Sequence, residues 1–134
     1  MGSGVSAGHE IRFVRVPWLP GASAICVGRR LVLYVERRSD HRPLVGPSER
    51  VRRHEAIHCA QRAECGRFDA IYVSDYLAAR KTEQARSHPD GRHWGAYYMV
   101  RFEAEAHACD EIEGYLDTRE PMAWQAYPMV GEEQ

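Results

Sequence analysis

The stretch "RRHEAIHCAQ", Arg52 to Gln61, decides how the chain is read. Its centre, His54-Glu55-Ala56-Ile57-His58, fits the H-E-x-x-H pattern, which carries meaning only on a helix. There, residues four apart lie one above the other, so His54 and His58 can both aim a ring nitrogen at one ion about 2 Å away. Glu55 stands one step round the helix, next to the ion. A carboxylate so placed takes the proton of a metal-acidified water while the oxygen attacks a carbonyl carbon. Two histidines do not complete a catalytic zinc site, which needs a third protein ligand and a fourth position left for water. The competing reading is an ordinary helix that happens to carry two histidines, and the pattern alone does not separate the two.

Signals on both sides of the motif support the helix. Ser48, after Pro47, is placed to cap it, Glu49 stands in its first turn and Gly66 ends it, which predicts a helix over 49–65. Upstream, residues 10–37 read as β-rich. "EIRFVRV", Glu10 to Val16, is a strand stopped by Pro17 and Pro20 around Trp18. "SAICV" and "RLVLYVER" are two more strands, joined at Gly28-Arg29 by a tight turn with glycine where a positive φ would be needed. Residues 1–9 read as a flexible leader, and "RSDHRPLVGPS" as a loop.

Downstream, "FDAIYVSDYLAARKTEQ" has Ile71, Tyr72, Tyr76, Leu77 and Ala79 at helical spacing, although "AIYV" would also suit a strand; a second helix is expected over 68–83. "RSHPDGRH" is a loop. Alanine-rich residues 96–117 form a third helix running uninterrupted to Gly114, and the tail, 121–134, with Trp124, Tyr127 and Pro128, is expected to be extended and packed on the domain. At 134 residues the whole, 1–134, is expected to be one domain.

Composition narrows the function classes. The formal charge is −1, with 18 basic and 19 acidic residues well mixed, so no electrostatic platform for nucleic acid is present. Arg52-Arg53 reads as a solvated helix face. The apolar run near the N-terminus is cut by Gly28, Arg29 and Arg30, so neither a membrane span nor a signal peptide is expected. A cytoplasmic or phage-virion-associated protein with no membrane partner is the expectation. "MGSGVS" satisfies the myristoylation pattern, but Gly/Ser-rich openings are commonly plain leaders. Cys26, Cys59, Cys65 and Cys109 form no C-x-x-C pair and read as buried thiols in a reducing compartment.

A third ligand has to come from downstream, and "RFEAEAHACD" offers candidates. Glu103, His107 and Asp110 follow at i, i+4 and i+7 and share a helix face, while Glu105 lies on the opposite side. An acidic stripe on a helix is usually solvated surface. Beside Phe102, Ala104, Ala106 and Ala108, a buried role gains weight, and a buried carboxylate calls for a cation.

"HEAIHCAQ", followed some 45 residues later by "FEAEA", resembles the gluzincin branch of zinc metallopeptidases, in which one helix bears H-E-x-x-H and a facing helix the glutamate ligand. It is similar to small bacterial and phage proteins of the H-E-x-x-H-x-x-Q … F-E-x-E-A type, which open with a short β-rich segment. "ASAICVGRRLVLYVER" matches the strands expected before the helix, Gln61 the family glutamine, and "GRFDAIYVSDYLAAR" the intervening helix with its Tyr76-Leu77 pair. The resemblance implies that His54 and His58 are zinc ligands, Glu55 the base and Glu103 the third ligand, with Glu105 in reserve. Gluzincins such as thermolysin carry an aspartate four residues after the glutamate ligand; this chain has His107 there, and Asp110, one turn on, is the candidate to hydrogen-bond a zinc histidine. Tyr97, Tyr98, His93 and His107 are candidates to donate to the developing oxyanion, and none is singled out by spacing. His9, His41 and His88 read as loop histidines.

The expectation is therefore an α+β, minimal zincin-like domain: a small antiparallel or mixed sheet packed on the H-E-x-x-H helix and a glutamate-bearing helix. It implies a zinc-dependent metallopeptidase hydrolysing peptide bonds through a zinc-bound water activated by Glu55, with one Zn2+ per chain, although manganese or iron also suit two imidazoles and a carboxylate. The substrate class is a peptide or protein, which an edge strand, expected to be "LVLYVER", could bind by strand addition. The alternative is a non-catalytic zinc-binding structural or interaction module, part of a phage particle or other host assembly. A metal-free helical interaction protein stands behind both.

Overall fold

The structure, a computed structural model, describes residues 10–19, 23–36 and 47–129. The leader at 1–9, His9, His41 and the last five residues of the tail lie outside them. The chain divides into two compact units, Met1–Ala63 and Glu64–Gln134. The class is α+β: among the described residues, a three-stranded mixed sheet and six helices.

In the first unit, β1 (Arg12–Arg15), β2 (Ala24–Cys26) and β3 (Leu31–Tyr34) form the sheet, in the order β1-β3-β2. β2 and β3 are antiparallel, with Ile25 opposite Leu33. β1 runs parallel to β3, with Val14 beside Leu33. The "LVLY" strand is therefore central, not an edge, and β1 and β2 are the outer strands among the described residues. The β2–β3 connection is longer than a two-residue turn, closing with Val27 N–H on Leu31 C=O at 3.0 Å, so Gly28 has no need of the positive φ expected of it.

Helix α1 (Glu49–Glu64) begins as its sequence predicts. Ser48 Oγ accepts from Val51 N–H at 3.2 Å and Ser48 C=O from Arg52 N–H at 2.9 Å, satisfying two amides of the first turn. Val51 and Cys59, two helical turns apart, pack with Ala24, Cys26 and Val32 of the sheet, joined by Ile11, Phe13 and Tyr34. The Arg52 guanidinium lies 4.7 Å over the Phe13 ring, so this basic residue covers apolar surface.

The second unit holds α2 (Phe68–Arg80), α3 (Glu83–Arg86), α4 (Arg92–Met99), α5 (Arg101–Cys109), α6 (Tyr115–Thr118) and a short 3-10 helix (Ala123–Ala126). Its core is aromatic: Phe68 stacks on Phe102 with centroids 4.2 Å apart, and Trp124 lies 4.6 Å from Phe102. The tail segment expected to be extended is thus helical where it inserts Trp124. Leu77, counted in the apolar stripe of α2, is exposed. A smaller cluster of Ala79, Ala85 and Ala96 lets helices approach closely. At Gly95 a Cβ would stand 2.7 Å from the Ala85 carbonyl oxygen, so α4 meets α3 only because that residue is glycine.

The single helix expected over 96–117 is broken at Val100, whose backbone is extended. The cause is Asp75 of α2. Its Oδ2 accepts from Arg101 N–H at 3.2 Å while both carboxylate oxygens grip the Arg101 guanidinium at 2.8 and 3.0 Å, so a new helix is capped from outside. The chain leaves α5 at Asp110 and turns through Gly114, whose φ of 79° favours glycine. No helix among the described residues is long and apolar enough to cross a membrane.

Candidate metal centre

On α1, His54, His58 and Gln61 follow at i, i+4 and i+7 and share a face, with Cys59 about 100° round from His58. All three are buried, and so is Glu55. The two imidazoles stand edge to face with centroids 4.8 Å apart. His58 Nδ1 and Gln61 Oε1 are 2.7 Å apart, and an amide oxygen only accepts. His58 therefore donates from Nδ1. Metal-binding histidines are usually held in this way, the ring oriented by an acceptor behind it.

In the second unit, Glu103 and Glu105 point from opposite sides of α5 and are both buried, but they have different surroundings. Glu103 Oε2 accepts from the Tyr72 hydroxyl at 2.7 Å, and its Oε1 lies 3.7 Å from His107 Nε2. Glu105 is tied to Arg119 through Nε and, at 3.1 Å, through Nη2, and it also accepts from the Tyr115 hydroxyl at 2.6 Å. Arg119 reaches on to Glu64 at 2.7 and 3.1 Å. Burial opposes the Arg119 charge, but the two carboxylates outweigh it and hold the guanidinium firmly protonated. Glu105 thus has its cation already, in a guanidinium, while Glu103 is oriented by a phenol.

The oxyanion candidates divide. Tyr97 hydroxyl and His107 Nε2 are 3.2 Å apart, and the Tyr98 ring lies 4.9 Å from that of His107, so these three cluster beside Glu103. His93 instead faces the Tyr76 hydroxyl, 2.7 Å from Nδ1. Asp110 is buried at the C-terminal cap of α5.

No family model, curated protein or solved structure matches this chain.

His54 and His58, of the first unit, and Glu103, of the second, are each buried and are of residue types that bind metal ions. Two imidazoles and one carboxylate suit zinc and other divalent transition ions and leave coordination positions for non-protein ligands. Tyr72 was not identified from the sequence as part of this set. It reads there as one more apolar position of α2, and only the fold brings its hydroxyl, 31 positions away in sequence, to Glu103.

Proposed function

We propose that the chain is a zinc-dependent metallopeptidase of the gluzincin type with a minimal zincin-like fold, in which His54, His58 and Glu103 hold one ion and Glu55 is the general base. The observation that carries this reading is the Gln61 contact on His58. It places an acceptor behind the ring, the arrangement that orients metal-binding histidines. Glu55, buried on the same helix one step round from His54, adds support, since that is where a base belongs.

A zinc ion held by these residues would supply Lewis acidity and lower the pKa of water. The protein's own part follows from the side chains. Glu55 takes the proton of the attacking water and delivers it to the departing amine. Tyr72 keeps the Glu103 carboxylate in one orientation. Tyr97 and His107, hydrogen-bonded to each other, are the donors available to the oxyanion of the tetrahedral intermediate. An extended peptide would add to β1 or β2, since β3 is enclosed by both.

The test is cleavage of a quenched-fluorescence peptide library by the zinc-loaded protein and by Glu55→Gln. Turnover in the wild type that falls by at least about 100-fold in Glu55→Gln supports the assignment of the base. Equal cleavage by both proteins would remove Glu55 from the mechanism. Zinc binding with no cleavage of any library would favour the non-catalytic module.

A further inference from the structure

We propose that Cys26 and Cys59 form a reversible disulfide site that joins strand β2 to helix α1 under peroxide. The inference concerns the first unit alone and does not rest on the metallopeptidase reading.

The two sulfur atoms lie 3.4 Å apart, in hydrogen-bond contact, although the cysteines are 33 positions apart in sequence. Both are buried free thiols in the core between sheet and helix, beside Ala24 and Val32. Cys26 Sγ also donates to the Gly28 carbonyl oxygen at 3.1 Å, so one side chain is oriented from both directions. A disulfide needs the sulfurs about 2.05 Å apart, so closure asks for a movement of about 1.4 Å, shared between two χ1 rotations. Nothing of the kind is available to the other thiols: Cys65 is half-buried in the second unit, and Cys109 faces the Tyr127 hydroxyl at 3.9 Å.

Hydrogen peroxide is the appropriate oxidant class, because a bulky disulfide reagent would have to build a mixed disulfide inside the core. The Cys26 sulfur attacks one peroxide oxygen, the O–O bond breaks, and water leaves with the thiol proton, giving a sulfenic acid. The Cys59 sulfur then attacks the Cys26 sulfur, the S–O bond breaks, and the hydroxyl leaves as a second water with the Cys59 proton. Two thiols lose two electrons and two protons in total, and one peroxide becomes two waters. The bond would tether the helix at the residue that follows His58.

The experiment treats the full chain with hydrogen peroxide, counts remaining thiols and maps cross-linked peptides by mass spectrometry. Two of the four thiols should disappear together, the Cys26 and Cys59 peptides should be found joined, and dithiothreitol should restore both. Cys26→Ser should leave Cys59 unlinked, and, should that variant not fold, the wild-type peptide map decides alone. Progression of either cysteine to sulfinic or sulfonic acid without a Cys26–Cys59 link, or a dominant link through Cys65 or Cys109, would overturn the proposal.

Discussion

Replacing Arg119 with methionine removes the cation from a triad whose members differ in their access to water. Arg119 makes four hydrogen bonds, two to Glu105 and two to Glu64. Its side chain is 5% exposed, that of Glu105 0% and that of Glu64 18%. Breaking a buried ion pair from one side costs about 3–5 kcal/mol, because the remaining charge stays buried. Here Glu105 keeps the Tyr115 hydroxyl and Glu64 keeps Met122 N–H, and Glu64 is partly solvated, so the loss belongs at the lower end, about 3 kcal/mol. For a chain of this length that corresponds to a fall in Tm of roughly 10 °C. Adding Glu105→Leu should recover half or more of the loss, since an apolar pair of similar volume tolerates the site where a lone carboxylate does not. Urea unfolding of wild type, single and double variants measures the three stabilities. A loss under about 1 kcal/mol, or a double variant weaker than the single, would refute the reasoning that an unpaired Glu105 is the source of the cost.

Two other perturbations probe the site and the second core. Gln61→Leu removes the acceptor behind His58 at similar volume, and zinc affinity measured by competition with a chelator should fall about 10- to 100-fold while helix content is kept; unchanged affinity would detach Gln61 from metal binding. The Tyr127 phenol is pushed up to about 12 by burial and by its contact with Cys109. Its protonated form is the one the fold favours, so this contribution to stability is complete below the free phenol value near 10 and is lost as the pH rises towards 12. Ultraviolet titration should show this phenolate appearing late, and Tyr127→Phe should remove that late component; an ordinary value near 10 would contradict the burial argument.

Local signals made α1 legible: a serine before it, a glycine after it and a motif that has sense only at helical spacing. The strands were readable for the same reason, from β-branched runs between turn residues. Their arrangement was not, because the parallel pairing of β1 with β3 joins segments with β2 between them in sequence, and no residue of "LVLYVER" states whether it has one neighbour or two. The break at Val100 was hidden because its cap comes from Asp75, on another helix, and a single valine is a weak helix breaker. The two glutamates of "FEAEA" look equivalent in sequence apart from their faces. What distinguishes them, a tyrosine 31 positions upstream and an arginine 14 positions downstream, is supplied by the fold.

Metal content tests the proposal that His54, His58 and Glu103 together hold one ion. Protein purified without added metal should be analysed by inductively coupled plasma mass spectrometry as wild type, Glu103→Gln, Glu105→Gln and Glu55→Gln. About one zinc per chain is expected in wild type, Glu105→Gln and Glu55→Gln, and its loss in Glu103→Gln. A folded wild type without stoichiometric metal, or a Glu103→Gln variant that keeps it, would contradict the account.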